Sequence, residues 1–469
     1  MVQTLQKFKK RGSLKRWRAG LVGLLLCVGL SGLWGCGKPS DGKVNIQLST
    51  WGSTQEVAVL KSLLEAFEAK HPTVRVDLLH IPDNYYQKLQ LLVAGDLAPD
   101  VMFTNSISFP VYASQGVFMD LRPLLAQQTG PDALSTQQFY PQALQAFTWK
   151  TQQPASAPQS SLVESPTSSQ LAKQSSEILG ALPRDVSDVV IFYNRDLFKR
   201  AGIPEPQAGW SWAQFLETAK ALTVDANNDG DPEQFGFSFY SKPPLFWLPF
   251  VWSAGGDLFS PDLRKVTLDT PVAAQGLQFY ANLRNQWHVS PKKVESGGVT
   301  MSQLFLQQKV AMLVSGRWSV PVLREQAKFQ WDVAPFPVGP GGQSRVGIDA
   351  SGYAISAHTP HPQACFELIR FLLSAKAIAA VSQSGLIVPA RPDVAESALF
   401  LSPGQAPAHG RVFLDVIPTG VPTRTSPRWN EFSEELGLAL EPVWDGQQEA
   451  GAALTAVQPK LQHLLEVSP

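Results

Sequence analysis

Val44, Ile46 and Leu48 alternate with Asn45, Gln47 and Ser49, the two-residue period of a half-buried strand. The period changes at Ser53. Ser53 and Glu56 have the spacing of a capping box, and Leu60, Leu63, Leu64 and Phe67 then recur at helical spacing until His71 and Pro72 stop the run. "VRVDLLH" predicts a second strand, Tyr85 to Ala94 a helix closed by Gly95, and "PDVMFTN" a third strand. Strand, helix, strand, helix, strand is the order of a parallel sheet with helices on its faces, where ligands gather beyond the carboxyl ends of the strands. Trp51 and Ser53 follow the first strand and Thr104 and Asn105 end the third, so the two pairs are expected at one rim. Further on, "DVVIFYN" predicts a strand and "WSWAQFLETAKALT" a helix capped by Ser211 and Gln214. Mixed helix and strand are expected after Pro291, including the helix "QACFELIRFLLSAKA".

The start of the chain has a different texture. Lys7, Lys9, Lys10, Arg11, Lys15, Arg16 and Arg18 precede Ala19 to Gly35, a run with no charge, and Cys36 follows at once. A basic segment followed by an apolar one is the pattern of a secretory signal, although on length alone the run also fits a short membrane anchor. Leu33, Trp34, Gly35 and Cys36 resemble the bacterial lipobox, whose cysteine is acylated before cleavage; Trp34 stands where a small residue is usual. The resemblance implies a signal peptide over 1–35, lipid on Cys36 and a tether over 36–43. Two or more acyl chains, at ~0.8 kcal/mol per buried CH₂, hold a protein on a membrane without a spanning helix.

Cleavage there removes seven of the 39 basic residues and none of the 39 acidic ones, leaving a net charge of −7. That balance, with no basic block after residue 35, argues against nucleic acid as a partner. Cys27 leaves with the signal and Cys36 is lipidated, so Cys365 has no cysteine to pair with. The remaining ~430 residues exceed what one core usually serves, so two domains are expected. Residues 151–176, rich in Ser, Gln, Ala and Pro, are expected to be a disordered insertion.

The stretches "STWGSTQEVAVLKSLLEAFEAKHPTVRVDLL", "KLQLLVAGDLAPDVMFTN", "GALPRDVSDVVIFYNRDLFKRAGI", "FVWSAGGDLF", "FLQQKVAMLVSGRWSV", "WDVAPFPVGP" and "HPQACFELIRFLLSA" resemble, in order, the extracellular solute-binding proteins of ATP-binding-cassette sugar importers, the group of maltose-binding protein. The resemblance implies an α/β, two-lobed periplasmic-binding-protein fold with a hinge and a ligand cleft between the lobes. It places the N-terminal lobe at 44–183 and 335–373 and the C-terminal lobe at 184–334 and 374–469. It implies capture of a sugar or polyol, delivery to permease subunits, a monomer, no cofactor, and attachment to the outer face of the cytoplasmic membrane (the periplasm in a Gram-negative cell).

Sugars present flat C–H patches ringed by hydroxyls, so a site for them needs aromatic faces and a few fixed polar groups. Among thirteen Trp, Trp51, Trp247, Trp252, Trp318 and Trp429 fall near expected strand ends or glycine turns. Trp51 and Trp318 resemble family positions that face the ligand, and Tyr193 resembles the tyrosine of the family's "YN" turn. With Ser53 and Asn105, the expected site takes in Asp185 as a hydroxyl acceptor, Gly256 in a tight turn, and Gly352 and Tyr353 in "DASGYAIS". Each has a plainer structural role as alternative: Asp185 as an ion-pair partner of Arg184, the aromatics as core, the glycines as turns.

Asp225, Asn227, Asp229 and Gly230 match the first half of an EF-hand calcium loop, with Glu233 at the ninth position. Gly236 stands at the twelfth, where the bidentate Glu belongs, so an acidic turn without a metal is expected. No G-x-S-x-G, H-E-x-x-H or Walker loop is present, and no enzyme is expected. Two rivals remain open: a surface-tethered glycoside hydrolase with two cleft carboxylates, and a receptor for a non-sugar solute such as a phosphorylated polyol, served by Arg184, Arg317 and Arg391.

Overall fold

Strand β1 (Val44–Thr50) buries Ile46 and Leu48 completely, and in α1 (Thr54–Lys70) Leu60, Leu64 and Phe67 form the buried stripe. Ser53 accepts from the Glu56 amide while Glu56 reaches back to the Ser53 amide, so the capping box closes. Burying a side chain such as Phe67 contributes ~1.5–3 kcal/mol. The computed structural model describes residues 42–130, 132–150, 177–292 and 298–467. The signal over 1–35, Cys36, all but the last two residues of the tether, and the insertion over 151–176 lie outside the described residues. Val44–Pro469 forms one unit.

Two sheets organise it. The first contains β1, β2 (Val74–His80) and β3 (Val101–Asn105), together with β6 (Ala181–Ser187), β11 (Asp349–Ile355) and β12 (Val388–Pro389), in the order β12-β6-β11-β3-β1-β2. β1 runs parallel to β2 and β3, whereas β11 is antiparallel to β3 and β6. The second sheet has the order β10-β7-β9-β8, from β7 (Val190–Asn194), β8 (Phe235–Phe237), β9 (Val310–Ser315) and β10 (Trp331–Ala334). A small hairpin, β4 (Thr148–Lys150) with β5 (Glu177–Leu179), flanks the expected insertion. Between the parallel β2 and β3 lies α2 (Tyr85–Ala94), with Leu89 buried.

The chain passes from the first sheet to the second at Asp188 and Val189, between β6 and β7. It returns after β10. Val338 still pairs with Trp210 and Gly341 with Ser253 on the second side, and β11 begins at Asp349. The later return differs from the expected break after Leu373. Helix Ala375–Ser382 turns Ala377, Ile378 and Val381 inward and packs on α1, and β12 adds a strand beside β6. Only beyond these does the chain reach helices Trp429–Trp444 and Ala450–Glu466, which pack against Pro271–Asn285 of the second side. Among the described residues no helix is long and apolar enough to cross a membrane.

Candidate functional site

Both sheets present the carboxyl ends of parallel strands to a common cleft of about 400 Å³. Trp51 follows β1, Pro82 and Tyr85 follow β2, and Asn105 ends β3, so strand direction alone brings them to one rim. Ser187, at the end of β6, joins them, as do Asp349, Ala350 and Ser351 at the start of antiparallel β11, where Ser351 lies opposite Asn105. The second sheet contributes Leu245, after β8, and Trp318, after β9.

The first wall is an aromatic cluster held by hydrogen bonds. The Trp51 ring lies 4.4 Å from Phe103, 4.9 Å from Tyr85 and 5.7 Å from Tyr86. The Tyr85 hydroxyl shares a 2.8 Å bond with Ser49, and the Tyr86 hydroxyl accepts from the Asn105 amide at 2.8 Å. Burial raises both phenols far above their usual range, so both remain neutral donors. Asn105 Oδ1 caps the Ser108 amide at 2.8 Å. On the opposite wall Trp318 is 37 % exposed, whereas Trp247, Trp252 and Trp429 are buried. A Cβ on Gly316 would fall 2.1 Å from the Trp318 ring, so only glycine lets the indole fold back there.

Asp349 supplies the charge. It is 7 % exposed, and Ser106 Oγ donates to its Oδ1 at 3.4 Å while accepting from the Ala350 amide at 3.1 Å. Burial pushes its carboxyl up to about 7, against the opposing pull of Thr423 and Ser106.

Of the expected site residues, Trp51, Asn105 and Trp318 line this cleft, and the others do not. Asp185 takes its structural alternative: Arg184 Nε donates to it at 2.6 Å, with Glu56 3.8 Å from the same guanidinium, and the pair is buried. Desolvation raises the Asp185 carboxyl, and Arg184 opposes it. Tyr193 is buried in β7 and donates to Glu205 at 3.0 Å. Trp252 is buried with its indole N–H on Asp257 at 3.0 Å, Trp247 is buried, and Trp429 stacks on Phe432 at 5.6 Å. Ser53 spends its hydroxyl on the cap of α1. Gly256 packs on Ala273, and Tyr353 is buried against Phe103 at 5.1 Å. Gly352 sits at the irregularity between β11 and β6, where a Cβ would lie 2.1 Å from the Leu182 carbonyl oxygen. Its neighbour Ser351 is the residue that reaches the cleft.

The arginines expected for a phosphate are engaged elsewhere: Arg184 on Asp185, Arg317 on the Phe400 carbonyl and ring, and Arg391 on Asp393 at 2.8 Å. In the acidic turn, Asp225 accepts from the Asp229 and Gly230 amides, Asn227 accepts from the Asp229 amide, and Glu233 accepts from the Ala226 amide. Among the described residues no group of three His, Cys, Asp or Glu side chains is placed to hold a metal.

Tyr85, Tyr86, Ser187 and Asp349 were not foreseen. Tyr85 and Tyr86 open a helix directly after a parallel strand, a signal the strand-end rule could have used. Asp349 begins an antiparallel strand, which that rule does not reach.

The comparisons agree with this architecture. An uncharacterized lipoprotein of Streptomyces antibioticus is 26% identical over 367 residues, covering 75% of this chain and 72% of that protein. The maltodextrin-binding protein of Bacillus subtilis is 22% identical over 365 residues, covering 75% and 74%. Among solved structures, an ABC substrate-binding protein of Listeria monocytogenes in complex with cycloalternan superposes with a TM-score of 0.75 at 24% identity, over 90% of this chain and 98% of that one. The family model for bacterial extracellular solute-binding proteins matches residues 51–379, most of the chain, and the protein belongs to that family of solute-binding proteins.

Proposed function

We propose that this protein captures a small carbohydrate or sugar-polyol in the cleft between its two sheets and hands it to the permease of an ATP-binding-cassette importer. The observation that carries the reading is the pairing of aromatic faces across the cleft: Trp51 with Tyr85 and Tyr86 on one wall, Trp318 on the other. Aromatic faces match the C–H surface of a sugar, and Asn105, Ser187, Ser351 and Asp349 between them offer partners for its hydroxyls. The carbohydrate complex of the similar Listeria protein supports the same class of ligand.

A ligand that touches both walls draws them together. The strand crossing at Asp188–Val189, the return between β10 and β11, and the third passage before Trp429 are the proposed hinge, with the lobes as the two sheets and their helices. Closure is a shift in population toward the form that both walls bind. Lipid on Cys36 would keep the receptor beside its permease, outside the cytoplasm. A hydrolase would need a second carboxylate facing the first, and among the described residues lining the cleft Asp349 is the one acid.

A thermal-shift screen of the full chain in detergent against mono-, di- and trisaccharides, polyols and sugar phosphates tests the reading. A true ligand at a hundredfold excess over Kd adds ~2.7 kcal/mol of apparent stability, a clear shift in Tm. A shift with sugar recovered intact is the expected result. Cleavage products, or no shift with any sugar or polyol, would overturn it.

A further inference from the structure

Asp349 differs from the other buried aspartates of the body in what faces it. Asp185 lies against the Arg184 guanidinium at 2.6 Å, Asp332 against the His409 ring at 2.8 Å, and Asp188 feels the charge of Arg317. Asp349 is also buried, yet among the described residues the groups acting on it are the Ser106 hydroxyl and the polar groups of Thr423, none of them charged. The charged groups of the surrounding elements are committed to one another. On β6 and α1, Asp185 and Glu56 share Arg184; on the third passage, Arg424 is bound to Asp257 and the Phe259 carbonyl. No Lys, Arg or His lines the cleft among the described residues.

We propose that the cleft prefers a sugar bearing a protonated amine over its neutral parent, with Asp349 as the specificity-determining residue that meets the cation. This rests on the sugar-receptor reading above and narrows its substrate class. A buried carboxylate without a cation is costly, and a ligand ammonium supplies one in a setting where water competes weakly. The walls suit the same charge. Indole and phenol faces attract a cation through their quadrupoles, and Trp51, Tyr85, Tyr86 and Trp318 present four such rings around one acid. Tyr85 and Tyr86, held neutral by burial, add no competing anion. A phosphorylated sugar is the opposite case, since it would bring its negative charge to the one acid of the cleft.

Titration calorimetry on the full chain in detergent tests this with matched pairs: glucose, galactose, maltose and trehalose, each against the counterpart whose primary 6-hydroxyl is an amine. At about pH 8, where Asp349 is ionised, the amine of a bound pair is expected to bind at least ~10-fold tighter than its parent. The advantage should vanish at about pH 5, where Asp349 holds its proton, and in Asp349→Asn at either pH. Near pH 6 the wild-type protein should release a proton as it takes up the amine but not the neutral sugar, read as a dependence of the heat on buffer; this readout stands even if the variant does not fold. Equal or weaker binding of the amines, with neutral sugars still bound, overturns this inference and leaves the sugar receptor standing. So does an amine preference undiminished in Asp349→Asn. Failure of every sugar, neutral and amino alike, overturns the receptor reading itself.

Discussion

At the scale of the residue, the cleft combines exposed rings with one costly acid. Trp318 is 37 % exposed and Trp51 half-buried, so both rings have a face to offer a ligand. Trp318→Ala and Trp51→Ala are each expected to weaken the identified ligand by ~10-fold or more, about 1.4 kcal/mol, in calorimetry. Trp318→Ala should lower Tm less than Trp51→Ala, because Trp51 packs on Phe103, Tyr85 and Tyr86 whereas Trp318 is 37 % exposed. Asp349 has a stability consequence of its own. Its carboxyl titrates at about 7 in the fold against an ordinary 3.8, so the folded state holds the proton more tightly than the unfolded chain. Its contribution is therefore most favourable at low pH and is lost as pH rises from 3.8 to about 7, by up to ~1.4 kcal/mol per pH unit, and is level above that. Asp349→Asn removes the penalty. The variant's Tm should rise relative to wild type as pH climbs from 4 to 7, while its preference for the amine disappears; a Tm difference independent of pH would refute the assignment.

At the scale of the element, the same residue types divide cleanly between folding and binding. Ser53, two residues from Trp51, is spent on the cap of α1, so Ser53→Ala is expected to lower stability by ~1 kcal/mol with little change in Kd, checked by denaturant melts beside calorimetry. Gly352→Ala should be severe, because its Cβ would meet the Leu182 carbonyl oxygen at 2.1 Å; a loss of more than 2 kcal/mol or failure to fold is expected. The elements themselves were legible in the sequence where periodicity and caps agreed. β1, α1, β2, α2 and β3 fall where alternation, the capping box, Pro72 and Gly95 put them. The cleft was legible only in part. Strand direction found Trp51 and Asn105, and the likeness to known family positions found Trp318. Trp252, Trp429 and Tyr193 lie outside the cleft lining, because a tryptophan or tyrosine near a turn fits a core as readily as a cleft, and burial is a tertiary outcome. Asp185 is held instead by its neighbour in sequence, Arg184. Helix Ala375–Ser382 joins the first sheet's side because of the pairing of β12 with β6, a contact between residues two hundred apart that no local pattern encodes.

At the scale of the whole molecule, the two sheets meet at three chain passages and share one cleft, so an occupant that satisfies both walls favours their approach. On the proposed reading, Trp51 with its tyrosines and Trp318 across from them would gain full contact with one ligand only in a closed form, which would couple affinity to conformation. Replacing Trp318 should therefore weaken both binding and closure, whereas replacing a residue buried in one lobe should change stability alone. The most direct measurement of that claim is small-angle X-ray scattering of the protein with and without a saturating amount of the sugar found in the thermal-shift screen. The account predicts a fall in the radius of gyration for the wild-type protein and a smaller fall for Trp318→Ala at equal saturation. An unchanged radius in the sugar-saturated wild-type protein would contradict capture between two moving walls.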